Sequence, residues 1–182
     1  MTRPTIYIAR HASPDWSRTD IAYDRPPGPP LTTLGEKEAH ALGTYLHSCG
    51  VSLIYASPLE RAWRTAELVA EVIGIQPQVE DAIAEWRKDE TRDVVAERVM
   101  SFWRRVVVET RTSGPICLVT HGGPMRLILN RLGVTSEQLR PFTERFDHNN
   151  PAPPAGLWCA IQATTEDRWE LNLAFTPDQE TW

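Results

Sequence analysis

The chain has 182 residues, of which 41% are hydrophobic and 24% are charged, and its formal net charge is −5. This length predicts one globular domain over residues 1–182, and the acidic charge argues against nucleic-acid binding, because phosphate backbones are bound by clustered Lys and Arg. No apolar stretch has the length that a signal peptide or membrane span needs, so we expect a cytoplasmic protein with no membrane partner.

The first part of the chain predicts a strand, a loop and a helix. Residues 5–9 form a short β-branched and aromatic run that is typical of a buried strand. Residues 25–30 are too rich in proline and glycine for regular structure and predict a surface loop. The Thr-x-x-Glu spacing from Thr33 to Glu36 predicts a capping box at the start of a helix.

A second strand and helix follow in the same arrangement. Residues 53–56 predict a strand, after which Ser57 is a candidate N-cap, Pro58 suits the first turn and Glu60 completes a capping box. Apolar residues then recur at helical intervals as far as Ile73. The chain therefore begins with two successive strand-helix units.

The second half predicts another helix, strand and helix, and then a change of pattern. Apolar positions between 95 and 107 predict a helix, residues 116–120 a buried strand, and Pro124 the start of a short helix. Residues 157–164 and 168–174 predict two strands joined by a polar turn around Glu166 and Asp167. Together these elements predict an α/β fold, a three-layer αβα sandwich whose central sheet is mostly parallel with an antiparallel C-terminal edge.

Polar side chains follow three of the predicted strands. Arg10 and His11 follow the first, Arg61 lies just beyond the second, and His121 follows the strand at 116–120. Because the carboxyl ends of parallel strands form one ligand crevice, we expect these residues to meet there. Guanidinium groups bind oxyanions, and a neutral imidazole is a nucleophile, so either His11 or His121 is a candidate phosphoryl acceptor.

A phosphate ester also needs a proton donor for its leaving alkoxide. Glu85 follows the apolar residues 82–84 and precedes Trp86, surroundings that would raise the pKa of a carboxyl group. Glu85 is therefore the candidate general acid.

Four motifs in order give these residues a family context. They are Arg10-His11-Ala12, the Leu-Thr-x-x-Gly segment at 31–35, the Ser-x-x-x-Arg-Ala-x-x-Thr-Ala pattern at 57–66, and His121-Gly122. In these motifs the sequence resembles the histidine phosphatase superfamily, which contains cofactor-dependent phosphoglycerate mutases and many small phosphatases.

The resemblance implies a phosphoglycerate mutase-like fold and a role for each residue. His11 would be the phosphorylated nucleophile, Arg10, Arg61 and His121 would bind the phosphoryl group, and Glu85 would protonate the leaving group. Gly122 and Ser13 would join the substrate-binding residues. No metal and no cofactor are implied.

Two departures from the family pattern concern the loop after His11. Ala12 replaces the usual glycine and would cost on the order of 1 kcal/mol if its φ were positive. Ser13 stands where the family often has an acidic or amide residue, which leaves the substrate open. Three further residues, Trp16, Trp86 and His148, are hypothesised to line the substrate pocket.

The sequence predicts a phosphomonoester hydrolase acting on a small phosphorylated metabolite or a phosphoprotein. One alternative is a phosphoglycerate mutase-type phosphotransferase, which returns the phosphoryl group to substrate. A second alternative is a non-catalytic phosphate-binding relative, although the presence of both His11 and Glu85 argues against it.

Overall fold

A computed structural model describes residues 3–164 and 168–177, and within them six strands form one sheet in the order β3-β2-β4-β1-β5-β6. These strands are β1 (Thr5–Arg10), β2 (Leu53–Ala56), β3 (Gln78–Val79), β4 (Ile116–Thr120), β5 (Leu157–Gln162) and β6 (Trp169–Phe175). The first four pair in parallel, whereas β5 pairs antiparallel with both β1 and β6. The predicted mixed sheet is confirmed; its predicted turn around Glu166 and Asp167 lies outside the described residues.

Helices cover both faces of the sheet. They are α1 (Thr33–Ser48), α2 (Glu60–Ile73), α3 (Arg92–Ser113), α4 (Gly122–Arg131) and α5 (Ser136–Thr143). Alternate residues of β1 face opposite layers: Ile6 and Ile8 pack with α3 and α4, whereas Tyr7 and Ala9 pack with α1 and α2. This period of two produces the three-layer sandwich. None of the helices that the structure describes is long and apolar enough to cross a membrane.

Both predicted capping boxes are wrong. The N-cap of α1 is Thr32, whose extended backbone lets its hydroxyl accept the Gly35 N–H at 3.0 Å, while Thr33 is already helical. Helix α2 begins at Glu60 with Leu59 as an N-cap that makes no side-chain bond. The Ser57 hydroxyl instead makes a hydrogen bond with His121, which follows β4.

The other differences between the predicted and the observed elements are smaller. Helix α4 begins at Gly122, two residues before Pro124, with His121 as its N-cap. The short strand β3 and helix α5 were not predicted, because β3 has two residues and α5 contains Pro141, which masks a helical pattern. In α5, Thr135 and Gln138 form a true capping box.

Candidate active site

The ends of β1, β2 and β4 meet at one edge of the sheet. Arg10 is level with Thr120 on β4, and Ala56 on β2 is level with Val119. The next residues are held in place by the same ladder, since the His11 N–H donates to the Thr120 carbonyl at 2.9 Å. The predicted convergence at the carboxyl edge is therefore present in the structure.

The His11 side chain is fully buried at this edge. Its Nδ1 lies 2.8 Å from the carbonyl oxygen of Ala12. Because a carbonyl can only accept, Nδ1 carries the proton and Nε2 keeps its lone pair. Burial, together with the charges of Arg61 and Arg10, holds the pKa of His11 well below its usual value, which keeps the imidazole neutral.

The loop after His11 is tied to two helices. The Ala12 N–H donates to Thr65 Oγ1 on α2 at 3.0 Å, and the Ser13 N–H and hydroxyl donate to Glu38 on α1 at 2.7 and 2.9 Å. A Cβ at Gly35 would come within 3.1 Å of the Ser13 nitrogen, which explains the glycine of the Leu-Thr-x-x-Gly segment. Both polar hydrogens of Ser13, on its backbone nitrogen and its hydroxyl, are thereby bonded to Glu38.

Ala12 needs no left-handed backbone. The non-glycine residues with positive φ in the described part of the chain are His148, Asn149 and Ala155. Ala12 is not among them and is fully buried. The strain that the alanine would cause under a positive φ therefore does not arise.

Arg61 lies in the first turn of α2 and is fully buried. None of its three guanidinium nitrogens makes a hydrogen bond to the residues that the structure describes. Its Cζ lies 3.8 Å from the centroid of the Tyr23 ring, a cation–π contact. A buried guanidinium with unused donors at a helix N-terminus is an anion site, because donors and helix dipole both favour negative charge.

Arg10 is buried beside it but is largely paired. Its two terminal nitrogens donate to the two carboxylate oxygens of Asp147 at 2.6 and 2.7 Å, and one of them also donates to the Ala152 carbonyl at 3.1 Å. Burial raises the pKa of Asp147, but the hydrogen bonds and charge of Arg10 outweigh it and leave that pKa below its ordinary value. The fork fixes the plane of the Arg10 guanidinium.

His121 faces His11 across the site, with the ring centroids 5.2 Å apart. Its Nε2 lies 2.7 Å from Ser57 Oγ, while its Nδ1 is buried without a partner among the described residues and lies 3.8 Å from Glu85 Oε2. The Ser57 oxygen already accepts the Leu59 N–H at 3.3 Å, so its proton is available to His121 Nε2. We therefore assign the ring proton of His121 to Nδ1, which faces the site.

Glu85 completes the group. Its Oε1 accepts the Trp86 N–H at 2.9 Å, and its Oε2 lies 3.8 Å from an Arg61 nitrogen. Burial raises the pKa of Glu85 above its ordinary value of 4.5, although the Trp86 N–H and the nearby arginines act in the opposite direction. This is the shift that a general acid needs.

Two anchors place the Glu85 segment at the sheet edge. The Thr120 hydroxyl at the end of β4 donates to the Ile83 carbonyl at 2.6 Å. Arg98 on α3 donates to the carbonyl oxygens of Ala82, Ala84 and Glu85 at 2.7, 2.9 and 3.2 Å. Because both anchors hold the backbone, the carboxyl group is left free to face the site.

A cavity of about 270 Å³ opens over these groups. Its lining consists of Arg10, Trp16, Tyr23, Glu85, Gly122, His148 and Asn150. A Cβ at Gly122 would overlap the Asn150 side chain, so a larger residue at this start of α4 would displace Asn150 from the cavity lining. Of the three residues hypothesised to line the pocket, Trp16 and His148 do so, whereas Trp86 packs against the core and donates through Nε1 to the Glu90 carbonyl at 3.0 Å.

A family model described as the histidine phosphatase superfamily (branch 1) matches residues 6–90 and 86–150. The chain belongs to the histidine phosphatase superfamily. The resemblance inferred from the four motifs is confirmed.

Relatives of this superfamily member carry both mutase and phosphatase names. The probable phosphoglycerate mutase GpmB of Escherichia coli is 27% identical over 143 residues, which cover 76% of this chain and 64% of that protein. A solved mycobacterial glucosyl-3-phosphoglycerate phosphatase aligns with a TM-score of 0.73 at 21% identity, over 93% of this chain and 97% of that one. A phosphoglycerate mutase from Bacillus anthracis aligns with a TM-score of 0.75 at 14% identity, over 95% of this chain and 93% of that one. These structures share the fold.

Sequence reasoning missed three residues that this superfamily member places at its site. Tyr23 lies in a loop, and its hydroxyl is 3.3 Å from His11 Nε2. Asp147 holds Arg10, and Asn150 lines the cavity. The one signal for the last two was the polar stretch around His148, which had been singled out as able to reach the crevice. Tyr23 had no local signal.

Proposed function

We propose that this chain is a phosphomonoester hydrolase that works through a phosphohistidine on His11, with Glu85 as general acid. The observation that carries the proposal is the buried Arg61 guanidinium, which has three unused nitrogens beside a neutral histidine whose Nε2 lone pair faces the same space. A dianionic phosphoryl group would satisfy these donors. Arg10 and the Nδ1–H of His121 would complete its binding.

In the first step the Nε2 lone pair of His11 attacks phosphorus and forms the N–P bond. The bond from phosphorus to the ester oxygen breaks, and the proton of the Glu85 carboxyl passes to that oxygen, so the alcohol leaves neutral. Arg61 and Arg10 stabilise the charge on the transferring oxygens. Burial raises the pKa of Glu85 above its ordinary value, which favours the protonated carboxyl that this step needs.

In the second step the Glu85 carboxylate takes a proton from water, and the water oxygen attacks phosphorus. The N–P bond breaks, its electron pair returns to Nε2, and inorganic phosphate leaves. The Nδ1–H of His11 keeps its proton and its hydrogen bond to the Ala12 carbonyl throughout, so that Nε2 serves as nucleophile and then as leaving group.

The size of the site favours a small metabolite over a phosphoprotein. The cavity of about 270 Å³ lies just below the range of roughly 300–1,000 Å³ that is usual for small-molecule pockets. A cytoplasmic location and a single domain over residues 1–182 remain predictions from the sequence.

The second candidate is a phosphotransferase of the mutase kind. The match to the probable phosphoglycerate mutase GpmB favours it, although the chain spans only 64% of that protein's length. A mutase must retain the phosphoryl group on histidine until the second hydroxyl of its substrate attacks it. Its signature would be interconversion of phosphoglycerates faster than release of inorganic phosphate.

The test incubates wild type, His11→Asn and His40→Asn with a panel of radiolabelled phosphate esters without added metal. We expect hydrolysis and an acid-labile, alkali-stable phosphoprotein in wild type and His40→Asn, with the label on the peptide that contains His11. His40 is an exposed histidine on α1 and serves as the matched control. Hydrolysis that persists in His11→Asn would contradict the proposal, and transfer between phosphoglycerate positions without net hydrolysis would favour the mutase.

A further inference from the structure

Three aromatic side chains line the cavity, and Trp16 contacts both of the others. The Trp16 ring stacks on Tyr23 with a centroid distance of 4.9 Å and an interplanar angle of 12°, and it meets the His148 ring at 5.0 Å. We call Trp16, Tyr23 and His148 the aromatic wall. Trp16 is 50% exposed although it belongs to a cavity lining, so part of its face is free to pack against a ligand.

The position of the aromatic wall identifies what it would contact. The same cavity is lined by Arg10 and by Glu85, which on the proposed mechanism lie on the phosphoryl side and on the leaving-group side of the bond that breaks. A larger cavity of about 500 Å³ also touches Glu85, but its lining contains neither Arg10 nor the aromatic wall. The alcohol part of the bound substrate therefore extends from the scissile bond along Trp16 and His148.

The charges of this cavity are unfavourable to an anionic alcohol. Among the described residues that line it, Arg10 is the one arginine or lysine, and both its terminal nitrogens are bonded to Asp147. His148 Nε2 lies 4.0 Å from the same Asp147 carboxylate, and Glu85 adds a second carboxyl group. A carboxylate on the leaving group would meet no unpaired arginine or lysine in this lining, since Arg10 is paired with Asp147 and, on the proposed mechanism, Arg61 binds the phosphoryl group.

We infer that this site selects phosphate monoesters whose alcohol is uncharged and carries an aromatic ring. The inference rests on the proposed hydrolase function and adds the substrate class to it. Packing of an aromatic ring against the wall contributes beyond its buried area, because ring edges and faces attract each other. The site should therefore prefer an ester with an aromatic ring over one with a saturated ring of the same size.

The experiment compares three esters that release the same kind of primary alkoxide: 2-phenylethyl phosphate, 2-cyclohexylethyl phosphate and 2-(4-carboxyphenyl)ethyl phosphate. In wild type we expect kcat/KM for the phenyl ester to exceed that for the cyclohexyl ester about 2- to 10-fold. The carboxylated ester should be slower than the phenyl ester by on the order of 10-fold. Trp16→Phe should keep the phenyl-to-cyclohexyl ratio, and Trp16→Leu should bring it to about one.

Each outcome decides the inference. Equal His11-dependent hydrolysis of the phenyl and cyclohexyl esters, or an unchanged ratio in Trp16→Leu, would overturn the aromatic subsite and leave the hydrolase function standing. A carboxylated ester that equals or exceeds the phenyl ester would overturn the charge argument even if Trp16→Leu failed to fold. Absence of hydrolysis with all three esters would overturn the inference, and the proposed function would fall with it if the wider panel of esters also gave no His11-dependent hydrolysis.

Discussion

The Tyr23 hydroxyl lies 3.3 Å from Nε2 of His11, the nitrogen that a phosphoryl group would have to reach. Because His11 Nδ1 donates to the Ala12 carbonyl, Nε2 can only accept, and the Tyr23 O–H is the donor. The Tyr23 ring also covers the Arg61 guanidinium. The Tyr23 hydroxyl thus occupies the approach to Nε2 and has to give up this hydrogen bond before His11 can attack phosphorus.

The first prediction concerns this competition. Tyr23→Phe removes the hydrogen bond to His11 and keeps the ring over Arg61, so displacement of the side chain becomes easier. A net hydrogen bond of about 0.5–1.5 kcal/mol corresponds to a 2- to 10-fold decrease in the competitive inhibition constant of inorganic phosphate. Tyr45→Phe, which alters a tyrosine on α1 that stacks on Phe175, is the control. A higher inhibition constant in Tyr23→Phe would show that the hydroxyl assists phosphate binding.

A second prediction tests whether Asp147 positions Arg10. Asp147→Asn removes one charge and one acceptor from the fork, leaving a buried guanidinium partly unpaired, and kcat/KM should fall on the order of 10- to 100-fold. Asp20→Asn is the matched control, because Asp20 forms a similar fork with Arg18 at 2.9 Å on the exposed surface. We expect the control to retain wild-type activity. Similar losses in both variants would mean that the Arg10 fork has no special role.

A third prediction separates the acid role of Glu85 from binding. Glu85→Gln cannot protonate the leaving group, so the single-turnover rate with 2-phenylethyl phosphate should fall about 10²- to 10⁴-fold. The rate of the first-turnover burst of Glu85→Gln with p-nitrophenyl phosphate should fall far less, because nitrophenolate leaves without a proton. In wild type, single-turnover rates with the alkyl ester should decline as pH rises through the raised pKa of Glu85. Equal losses with both esters would rule out the acid role.

A fourth prediction follows from the buried neutral His11. Its pKa is lowered by burial and by Arg61 and Arg10, so below the usual value of 6.5 the unfolded state binds a proton that the native state does not. Wild type should therefore lose stability relative to His11→Gln as pH falls from about 7.5 to 5.5, by at most about 1.4 kcal/mol per pH unit. Urea unfolding of both proteins, with His40→Gln as control, measures this difference. A pH-independent difference would show that His11 titrates normally in the folded state.

Local patterns predicted which residues meet at the sheet edge because these residues follow strands. Arg10, His11 and His121 stand immediately after buried apolar runs, and parallel pairing brings those run ends to one edge. The capping predictions failed at Ser57 because a tertiary partner, His121, bonds its hydroxyl in place of the helix terminus. A pattern that is read along the chain cannot include such competition.

The place of Tyr23 and the partner of Ser13 were beyond prediction for a related reason. Tyr23 lies in a segment without periodicity, and nothing in its neighbourhood predicts contact with His11. Ser13, expected to bind substrate, is held by Glu38 on α1, because Gly35 lets the two segments approach closely. Loop conformations depend on such contacts more than on their own composition.

By itself the sequence determined the order of the longer elements, the mixed sheet and the chemical types of the groups at its carboxyl edge, since hydrophobic periodicity and parallel topology are sufficient for those. Only the tertiary structure decided which His11 nitrogen is unprotonated, that Arg61 has unused donors, and that Arg10 is held by Asp147. The last pair is separated by 137 positions in the chain. Hydrogen-bond partners and burial set these properties, and both exist only once distant segments have packed together.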